Sequence, residues 1–244
     1  MNIAVIFAGG VGKRMNSKIK PKQFLSIHGV PIIIHTLKHF QENKNIDAIA
    51  IACVSGWEDH LNKLISEYRI DKVKAVVLGG ETGQMSIYNG LVAAKKIAGD
   101  TKSIVLIHDG VRPLINGELI NNNIKTVLKH GSAITSVKVK ETIMEVADDG
   151  TILHIPERKN SRLARAPQSF WLDEILEVHK KALSEGRSDF IDSCSMMQHY
   201  GKKLFLIDGP DENIKITTPE DFYIMRAILD AKENSQIYGY DDYD

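Results

Sequence analysis

The sequence predicts an α/β protein with a mostly parallel central sheet and helices on both faces of that sheet. Short apolar segments alternate along the chain with longer segments whose apolar residues follow a helical period. Continuous apolar strands are typical of parallel sheets buried on both faces, and such sheets are built by strand–helix alternation. With 244 residues, 43% of them hydrophobic, the chain can bury a sizeable core.

The short apolar segments are the predicted strands of the sheet, and the first is "IAVIF" at residues 3–7. The other predicted strands lie at residues 46–54, 73–80, 103–113, 131–139 and 202–209. The segments between them are amphipathic, as in residues 58–68, where Leu61, Leu64 and Ile65 share one helical face. The predicted helices lie at residues 31–40, 58–68, 85–97, 119–129, 172–183, 192–200 and 219–232.

A polar stretch from Lys140 to Arg165 interrupts this alternation. Within it, "TIMEV" and "TILHI" flank Asp149-Gly150, a dipeptide that favours a tight hairpin turn. We therefore predict a two-stranded β-arm at about residues 139–162 that projects from the sheet. An isolated hairpin is marginally stable in water, so the arm is expected to pack against another surface, such as a second subunit.

Neither a repeat nor a low-complexity linker divides the chain, so residues 1–232 are predicted to form one domain. Residues 233–244 are polar and acidic and are expected to form a frayed tail. The 31 basic and 31 acidic side chains balance, which argues against a general nucleic-acid or membrane-surface binder. We expect a cytoplasmic protein, because signal-peptide and membrane-spanning patterns are missing and Cys53 and Cys194 form no metal or redox motif.

The segment after the first strand combines bare backbone with positive charge. Gly9, Gly10 and Gly12 permit a tight turn whose N–H groups can cradle an anion. Basic side chains follow at Lys13, Arg14, Lys18, Lys20 and Lys22. The segment lacks the Ser/Thr of a P-loop and the third glycine of a dinucleotide loop. It predicts a phosphate site, and the alternative is a solvated basic turn.

Four loops that follow predicted strands carry glycine, charge or hydroxyl groups, and ligands of open parallel sheets bind at the carboxyl ends of strands. These loops lie at residues 9–22, 79–86, 108–113 and 209–218. In the third loop, Asp109 could hold Mg²⁺ beside phosphates or could form an ion pair with Arg112. His108 is expected to be structural, because no second histidine or cysteine is spaced to share a metal. Lys215, predicted in a short strand, is either an edge-strand lysine or a phosphate-binding cation.

The segment after the arm contains Arg158, Arg162 and Arg165. One of these arginines could clamp the phosphate of a second substrate, with help from the hydroxyl group of Thr142, or all three could belong to a solvated face. The sequence shows no pattern of a nucleophile–base pair and no glutamate pair for glycoside hydrolysis.

Five motifs occur in one order: "FAGGVGKRM…KPKQFL", "GG…S…GL", "HDGVRP", "ET…R…APQSF" and "NIKITTPED". Together they resemble the cytidylyltransferases that act on methylerythritol 4-phosphate or ribitol 5-phosphate, from Ile3 to about Leu229. The resemblance implies a Rossmann-like nucleotidyltransferase fold and a homodimer with exchanged β-arms. It also implies CTP, Mg²⁺ and a polyol phosphate as ligands, and a CDP-polyol and pyrophosphate as products.

Carried over by motif, the resemblance implies a role for each of three groups of residues. The catalytic cations would be Arg14, Lys22 and Lys215. The nucleotide would be bound by Ala8, Gly9, Gly10, Gly12, Gly80, Ser86 and Asp109, and Asp109 would also hold the metal. The polyol phosphate would be bound by Arg112, Thr142 and Arg158, the last two from the arm of the partner subunit.

Within this family, details favour the ribitol branch. The spacing between Arg14 and Lys22 is one residue longer than is usual in methylerythritol enzymes, and Trp57 and "PQSF" are more typical of the ribitol branch. Three positions depart from the methylerythritol pattern: Gly83, Glu141 and Ile191. The alternatives are a methylerythritol enzyme and a nucleotide-binding protein without catalysis, whereas the missing third glycine disfavours a dehydrogenase.

Overall fold

A seven-stranded sheet forms the centre of the protein in a computed structural model that describes residues 1–10 and 20–238. The strands are β1 (Asn2–Ala8), β2 (Ser26–Ile27), β3 (Val30–Pro31), β4 (Ala48–Cys53), β5 (Val73–Leu78), β6 (Ile104–Asp109), β7 (Ser132–Lys138), β8 (Glu145–Val146), β9 (Ile152–His154), β10 (Arg162–Trp171) and β11 (Leu206–Asp208). The order in the sheet is β11-β7-β10-β6-β1-β4-β5. All neighbours are parallel except β10, which is antiparallel to β6 and β7. The predicted mostly parallel sheet is confirmed.

Helices cover both faces of this sheet, as predicted. They are α1 (Ile32–Glu42), α2 (Glu58–Glu67), α3 (Gly83–Ala98), α4 (Gly117–His130), α5 (Leu172–Ser184), α6 (Ser193–His199) and α7 (Pro219–Tyr238). Alternate residues of β1 separate the two layers of the core: Ala4 and Ile6 pack toward α1, α2 and α4, whereas Ile3 and Val5 pack toward α3, α5 and α6. Buried strands with both faces covered explain why their sequences are apolar throughout.

Strand β10 is absent from the strands predicted above. Its sequence "RLARAPQSFW" mixes charged residues with a proline, and proline has no N–H to donate to a ladder. The structure accommodates Pro167 with a register shift in the β7–β10 pairing between Ala164 and Gln168. The local pattern hides this strand because only its second half, from Ala166, is buried.

The predicted β-arm is present as the antiparallel hairpin β8–β9. Its turn contains Gly150 at φ +86°, a left-handed conformation that favours glycine. The Asp149 carboxylate accepts hydrogen bonds from the N–H and hydroxyl groups of Thr151, which stabilise the turn.

Two details near the C-terminus differ from the predictions. Lys215 does not lie in a strand, because the segment is irregular and is held by the loop after β6: Ile216 N–H donates to the Val111 carbonyl. Helix α7 begins at Pro219 as predicted but continues to Tyr238, beyond the expected end at residue 232. In the described part of the chain, none of the helices is long and apolar enough to cross a membrane.

Candidate active site

The loops after four sheet strands meet at one edge of the sheet, as the sequence predicted. There they line a cavity of about 290 Å³, called the first cavity below. The predicted site residues in its wall are Ala8, Gly9, Gly10, Lys22, Gly80, Ser86, Asp109 and Lys215. Gly12 and Arg14, also predicted, lie outside the described residues. The fold thus brings together residues that are far apart in sequence, and their individual roles stay predictions.

Bare backbone is needed where the loops after β1 and β5 touch. A Cβ atom at Gly9 would lie 2.6 Å from the Ser86 Oγ, and one at Gly79 would lie 2.9 Å from the Gly9 Cα. A Cβ atom at Gly10 would meet no described residue within 4 Å. Gly9 therefore permits close packing between loops, whereas Gly10 lies in the wall of the first cavity with space beside it in the described part of the chain.

Gln23 ties the glycine loop to the turn that carries Lys22, and the sequence predictions missed it. Its side chain is buried, and its Nε2 donates to the carbonyls of Ala8 at 2.7 Å and Gly10 at 3.3 Å. Lys22 and Gln23 belong to one 3-10 turn, Lys22–Phe24, so the amide of Gln23 fixes Lys22 relative to the phosphate-type loop. The only sequence signal was its place beside Lys22 in "KPKQF".

An aromatic stack holds the same turn against the start of α2. The rings of Phe24 and Trp57 lie 5.0 Å apart at an interplanar angle of 17°, and His60 packs edge-on against both. Trp57 is not among the residues in the wall of the cavity. Its ring thus packs on the turn that carries Lys22.

Asp109 is buried between two cations at the end of β6. The Arg112 Nε donates to its Oδ2 at 2.8 Å, and the Lys215 Nζ lies 2.6 Å from its Oδ1. Burial opposes ionisation, but Lys215 and Arg112 outweigh it and lower the pKa of Asp109 to about 2. The carboxylate is therefore ionised at any pH at which the enzyme would work.

His108 is structural, as expected. It is fully buried, its Nε2 lies 2.9 Å from the Arg112 carbonyl, and burial lowers its pKa to about 4. Its neutral ring fixes the backbone that carries Arg112. Arg112 also donates from Nη1 to the Asn213 carbonyl at 2.9 Å, which joins the loops after β6 and β11.

The wall of the first cavity holds two carboxylates that a metal ion could meet, those of Asp109 and Glu81. Among the described residues, no three His, Cys, Asp or Glu side chains cluster to form a protein-only site. Mg²⁺ usually keeps several waters and binds one or two carboxylates plus substrate phosphates. The Lys215 Nζ lies 2.6 Å from Oδ1 of Asp109, so a metal ion at this oxygen would share it with the ammonium group. Asp109 thus fits Mg²⁺ that arrives with a nucleotide.

The N-terminus of α3 completes the wall of the first cavity. Thr82 caps the helix by accepting a hydrogen bond from Met85 N–H at 3.1 Å. The Ser86 Oγ accepts from Gly80 N–H at 3.0 Å and donates to the Thr82 carbonyl at 3.0 Å. The positive end of a helix dipole at a cavity favours anions such as phosphates.

A second cavity of about 340 Å³ adjoins the first and shares Phe7, Gly83, Asp109 and Lys215 with it. Its other lining residues are Ile87, Ile107, Arg112, Ala164, Arg165, Ala166, Gln168, Ile191, Asp192 and Ser193. Arg112, predicted to bind the acceptor phosphate, therefore lies beside the shared wall. Two ligands could occupy the joined cavities and meet at Asp109 and Lys215.

Thr142 and Arg158 are not brought to either cavity of their own chain. Both are exposed in the arm, and the Arg158 Nη2 lies 3.3 Å from the Thr142 hydroxyl. The two side chains are neighbours, and their predicted contact with the acceptor phosphate stays a prediction. Arg162 pairs with Asp208 and also lines neither cavity.

Together, the sheet, the glycine loop and the paired cavities define a nucleotidyltransferase with a Rossmann-like fold. The family model described as IspD, 2-C-methyl-D-erythritol 4-phosphate cytidylyltransferase, matches residues 2–231, and the chain belongs to this family. The crystal structure of 4-diphosphocytidyl-2C-methyl-D-erythritol synthase from Anaerococcus prevotii superposes with a TM-score of 0.80. It shares 29% identity, over 94% of this chain and 96% of that one.

Two curated relatives are named for different acceptors. Ribitol-5-phosphate cytidylyltransferase from Streptococcus agalactiae serotype III is 57% identical, over 98% of this chain and all of that protein. 2-C-methyl-D-erythritol 4-phosphate cytidylyltransferase from Clostridium novyi is 39% identical, over 94% of this chain and 96% of that protein. The predicted family and the predicted nearness to its ribitol branch are both confirmed.

Proposed function

We propose that the protein transfers the cytidylyl group of CTP to D-ribitol 5-phosphate and releases pyrophosphate. The observation that carries this proposal is the pair of joined cavities, which share Asp109 and Lys215. The relative with 57% identity is named for this acceptor, which supports ribitol 5-phosphate over other polyol phosphates.

In this reaction a phosphate oxygen of the acceptor attacks the α-phosphorus of CTP, and the bond from that phosphorus to the bridging oxygen of pyrophosphate breaks. Such transfer depends on positioning and on charge stabilisation. The backbone at Gly10 is open to the nucleotide phosphates, and Lys22 and Lys215 supply positive charge where negative charge develops. A bound Mg²⁺ would add charge neutralisation on the phosphates, with Asp109 as its protein ligand.

The reaction needs no nucleophilic side chain. Burial raises the pKa of the Cys53 thiol to about 12 and that of the Cys194 thiol to about 11. Both thiols are therefore protonated at neutral pH and are poor nucleophiles. A cytoplasmic location would suit the proposed reaction, because CTP is available there.

The alternative acceptor is 2-C-methyl-D-erythritol 4-phosphate, which the family description names. Ile191 lies in the wall of the second cavity with 92% of its surface exposed, where methylerythritol enzymes often place a threonine. An isoleucine offers no hydroxyl group to that acceptor, which favours the ribitol branch.

A homodimer with exchanged arms would supply Thr142 and Arg158 to the acceptor phosphate of the partner. The arm exposes large apolar side chains that water solvates poorly: Met144, Val146, Ile152, Leu153 and Ile155. Exposed apolar surface of this kind marks interaction sites. A two-stranded hairpin is also too small to be stable without such packing.

The test is an acceptor panel. The purified protein is incubated with CTP and MgCl₂ and with D-ribitol 5-phosphate, 2-C-methyl-D-erythritol 4-phosphate or no acceptor, and pyrophosphate and the CDP-linked product are measured. We expect CDP-ribitol as the main product and little turnover when ATP replaces CTP. A higher kcat/KM with the methylerythritol substrate would transfer the assignment to the alternative, and the absence of any CDP-linked product would overturn both.

A further inference from the structure

Arg165 is a cation in the wall of the second cavity. It is half-buried in β10, its Nε is buried without a hydrogen-bond partner, and among the described residues it has no ion pair. Buried donors are nearly always satisfied, so such a group indicates a missing partner. A guanidinium group remains charged in proteins and cannot avoid the cost by losing its proton.

The other cations of this wall already have partners. Arg112 donates to Asp109 and to the Asn213 carbonyl, and Lys215 is paired with Asp109. Lys215 lies in the wall that the two cavities share, and Arg112 lies next to that wall. In the proposed reaction the phosphates meet at this wall. Arg165 lines only the second cavity, on its unshared side.

A second unsatisfied group lies in the same unshared wall. The Ser193 Oγ is buried and has no hydrogen-bond partner among the described residues. Gln168 and Asp192 already have partners there, because the Gln168 Nε2 donates to Asp192 at 2.9 Å and its Oε1 accepts from the Cys194 N–H at 2.8 Å. The wall therefore offers one fixed donor on Arg165 and one hydroxyl group on Ser193, both without partners.

We infer that Arg165 is a specificity-determining residue that binds the hydroxyl groups of the acceptor, with Ser193 beside it, rather than the acceptor phosphate. This inference rests on the proposed function and names the side chain that reads the polyol. Hydroxyl groups both donate and accept, so they satisfy the Arg165 Nε and the Ser193 Oγ at once. A site built to hydrogen-bond hydroxyl groups rejects analogues that lack them, because its own polar groups are then left unpaired.

The test compares two ligands that share a phosphate and five carbons. The measured quantities are kcat/KM for D-ribitol 5-phosphate and the inhibition constant of n-pentyl phosphate, which has no hydroxyl groups. Arg165→Gln should lower kcat/KM for the ribitol substrate by about 10- to 100-fold and change the pentyl phosphate constant less than about threefold. Ser193→Ala, which removes only the hydroxyl group, should lower kcat/KM for the ribitol substrate by about 3- to 10-fold and change the pentyl phosphate constant less.

Arg226→Gln is the control, because it makes the same exchange at an exposed arginine of α7 that lines neither cavity. It should leave both constants and the KM for CTP unchanged. If Arg165→Gln weakens the binding of D-ribitol 5-phosphate and of n-pentyl phosphate equally, Arg165 binds the phosphate group that the two ligands share, and the inference is wrong. Unchanged constants in Arg165→Gln also overturn it. A wild-type enzyme that does not use D-ribitol 5-phosphate would instead refute the proposed function.

Discussion

At the scale of single residues, Asp109 and two cations form the centre of the site, in the wall that the two cavities share or next to it. Asp109 is held between Arg112 and Lys215, so its charge is largely compensated before any ligand binds. The sequence left two roles open for Asp109, an ion pair with Arg112 or a ligand of Mg²⁺, and one does not exclude the other. The pair with Arg112 is present, and Asp109 also lines the cavity in which phosphates and Mg²⁺ would bind.

Replacing Lys22 by alanine should remove most of the turnover while the fold remains intact. Lys22 lies in the wall of the first cavity, and loss of one positioned charge-stabilising group typically costs on the order of 10²–10³ in rate. The measurement is steady-state kinetics together with a thermal melt. Lys63→Ala, at an exposed position of α2, is the control. A kcat near the wild-type value in Lys22→Ala would remove Lys22 from the catalytic group.

Replacing Asp109 by asparagine should affect both the metal requirement and the stability. The neutral amide is a weaker ligand for Mg²⁺, so a higher Mg²⁺ concentration should be needed for half-maximal activity. Arg112 would also lose its buried partner, which should lower the free energy of unfolding by roughly 2–3 kcal/mol. Magnesium titration and urea unfolding measure the two effects. Wild-type behaviour in both would show that the carboxylate has neither role.

At the scale of elements, the arm and the turn of Lys22 depend on contacts outside themselves. The turn is held by Gln23 and by the stack of Phe24 on Trp57, whereas the hairpin β8–β9 exposes its apolar residues. In the proposed homodimer, the partner subunit would cover these apolar residues of the arm.

Mixing Arg158→Ala subunits with Lys22→Ala subunits should restore activity. If the arm reaches the partner, each heterodimer contains one site with both defects and one intact site, so its activity should approach half that of the wild type. If each arm serves its own subunit, every site keeps one defect. Subunit exchange is followed by native mass spectrometry and activity by pyrophosphate release. Heterodimers without recovered activity would contradict the crossed arm.

At the scale of the whole molecule, two histidines are buried in neutral form. Burial lowers the pKa of His108 and of His179 to about 4, from an ordinary value near 6.5. In the unfolded chain both would bind protons near pH 6.5, so the unfolded state takes up more protons as the pH falls from 6.5 to 4. The free energy of unfolding therefore decreases across this window, by roughly 3 kcal/mol for each histidine.

Replacing His179 by leucine should reduce this acid sensitivity. Both ring nitrogens of His179 are buried without hydrogen-bond partners, so leucine costs little at pH 7.5 and removes a group that must be protonated on acid unfolding. Urea unfolding between pH 7.5 and pH 4.5 measures the slope. His130→Gln, at an exposed histidine, should keep the wild-type slope. An unchanged slope in His179→Leu would mean that other groups control acid unfolding.

The sequence by itself determined the alternating α/β plan, the hairpin arm and the family. Apolar segments such as β1 and β4 and the helical period of α2 are local signals, because burial on one or both faces is written into neighbouring residues. The rule that ligands bind at the carboxyl ends of parallel strands also predicts that the four loops lie at one edge of the sheet. This is why Gly10, Asp109 and Lys215 were found together.

Only the tertiary structure decided which side chains support and complete the site. Strand β10 escaped prediction because its pairing depends on β6 and β7, residues remote in sequence, and because Pro167 masks its pattern. The sequence does not show what Gln23, Trp57 and Arg165 contact, because their neighbours lie across the fold: the carbonyls of Ala8 and Gly10, the ring of Phe24 and the wall of the second cavity. Contacts between distant segments are set by packing and carry no local period, so they become visible only when the chain is folded.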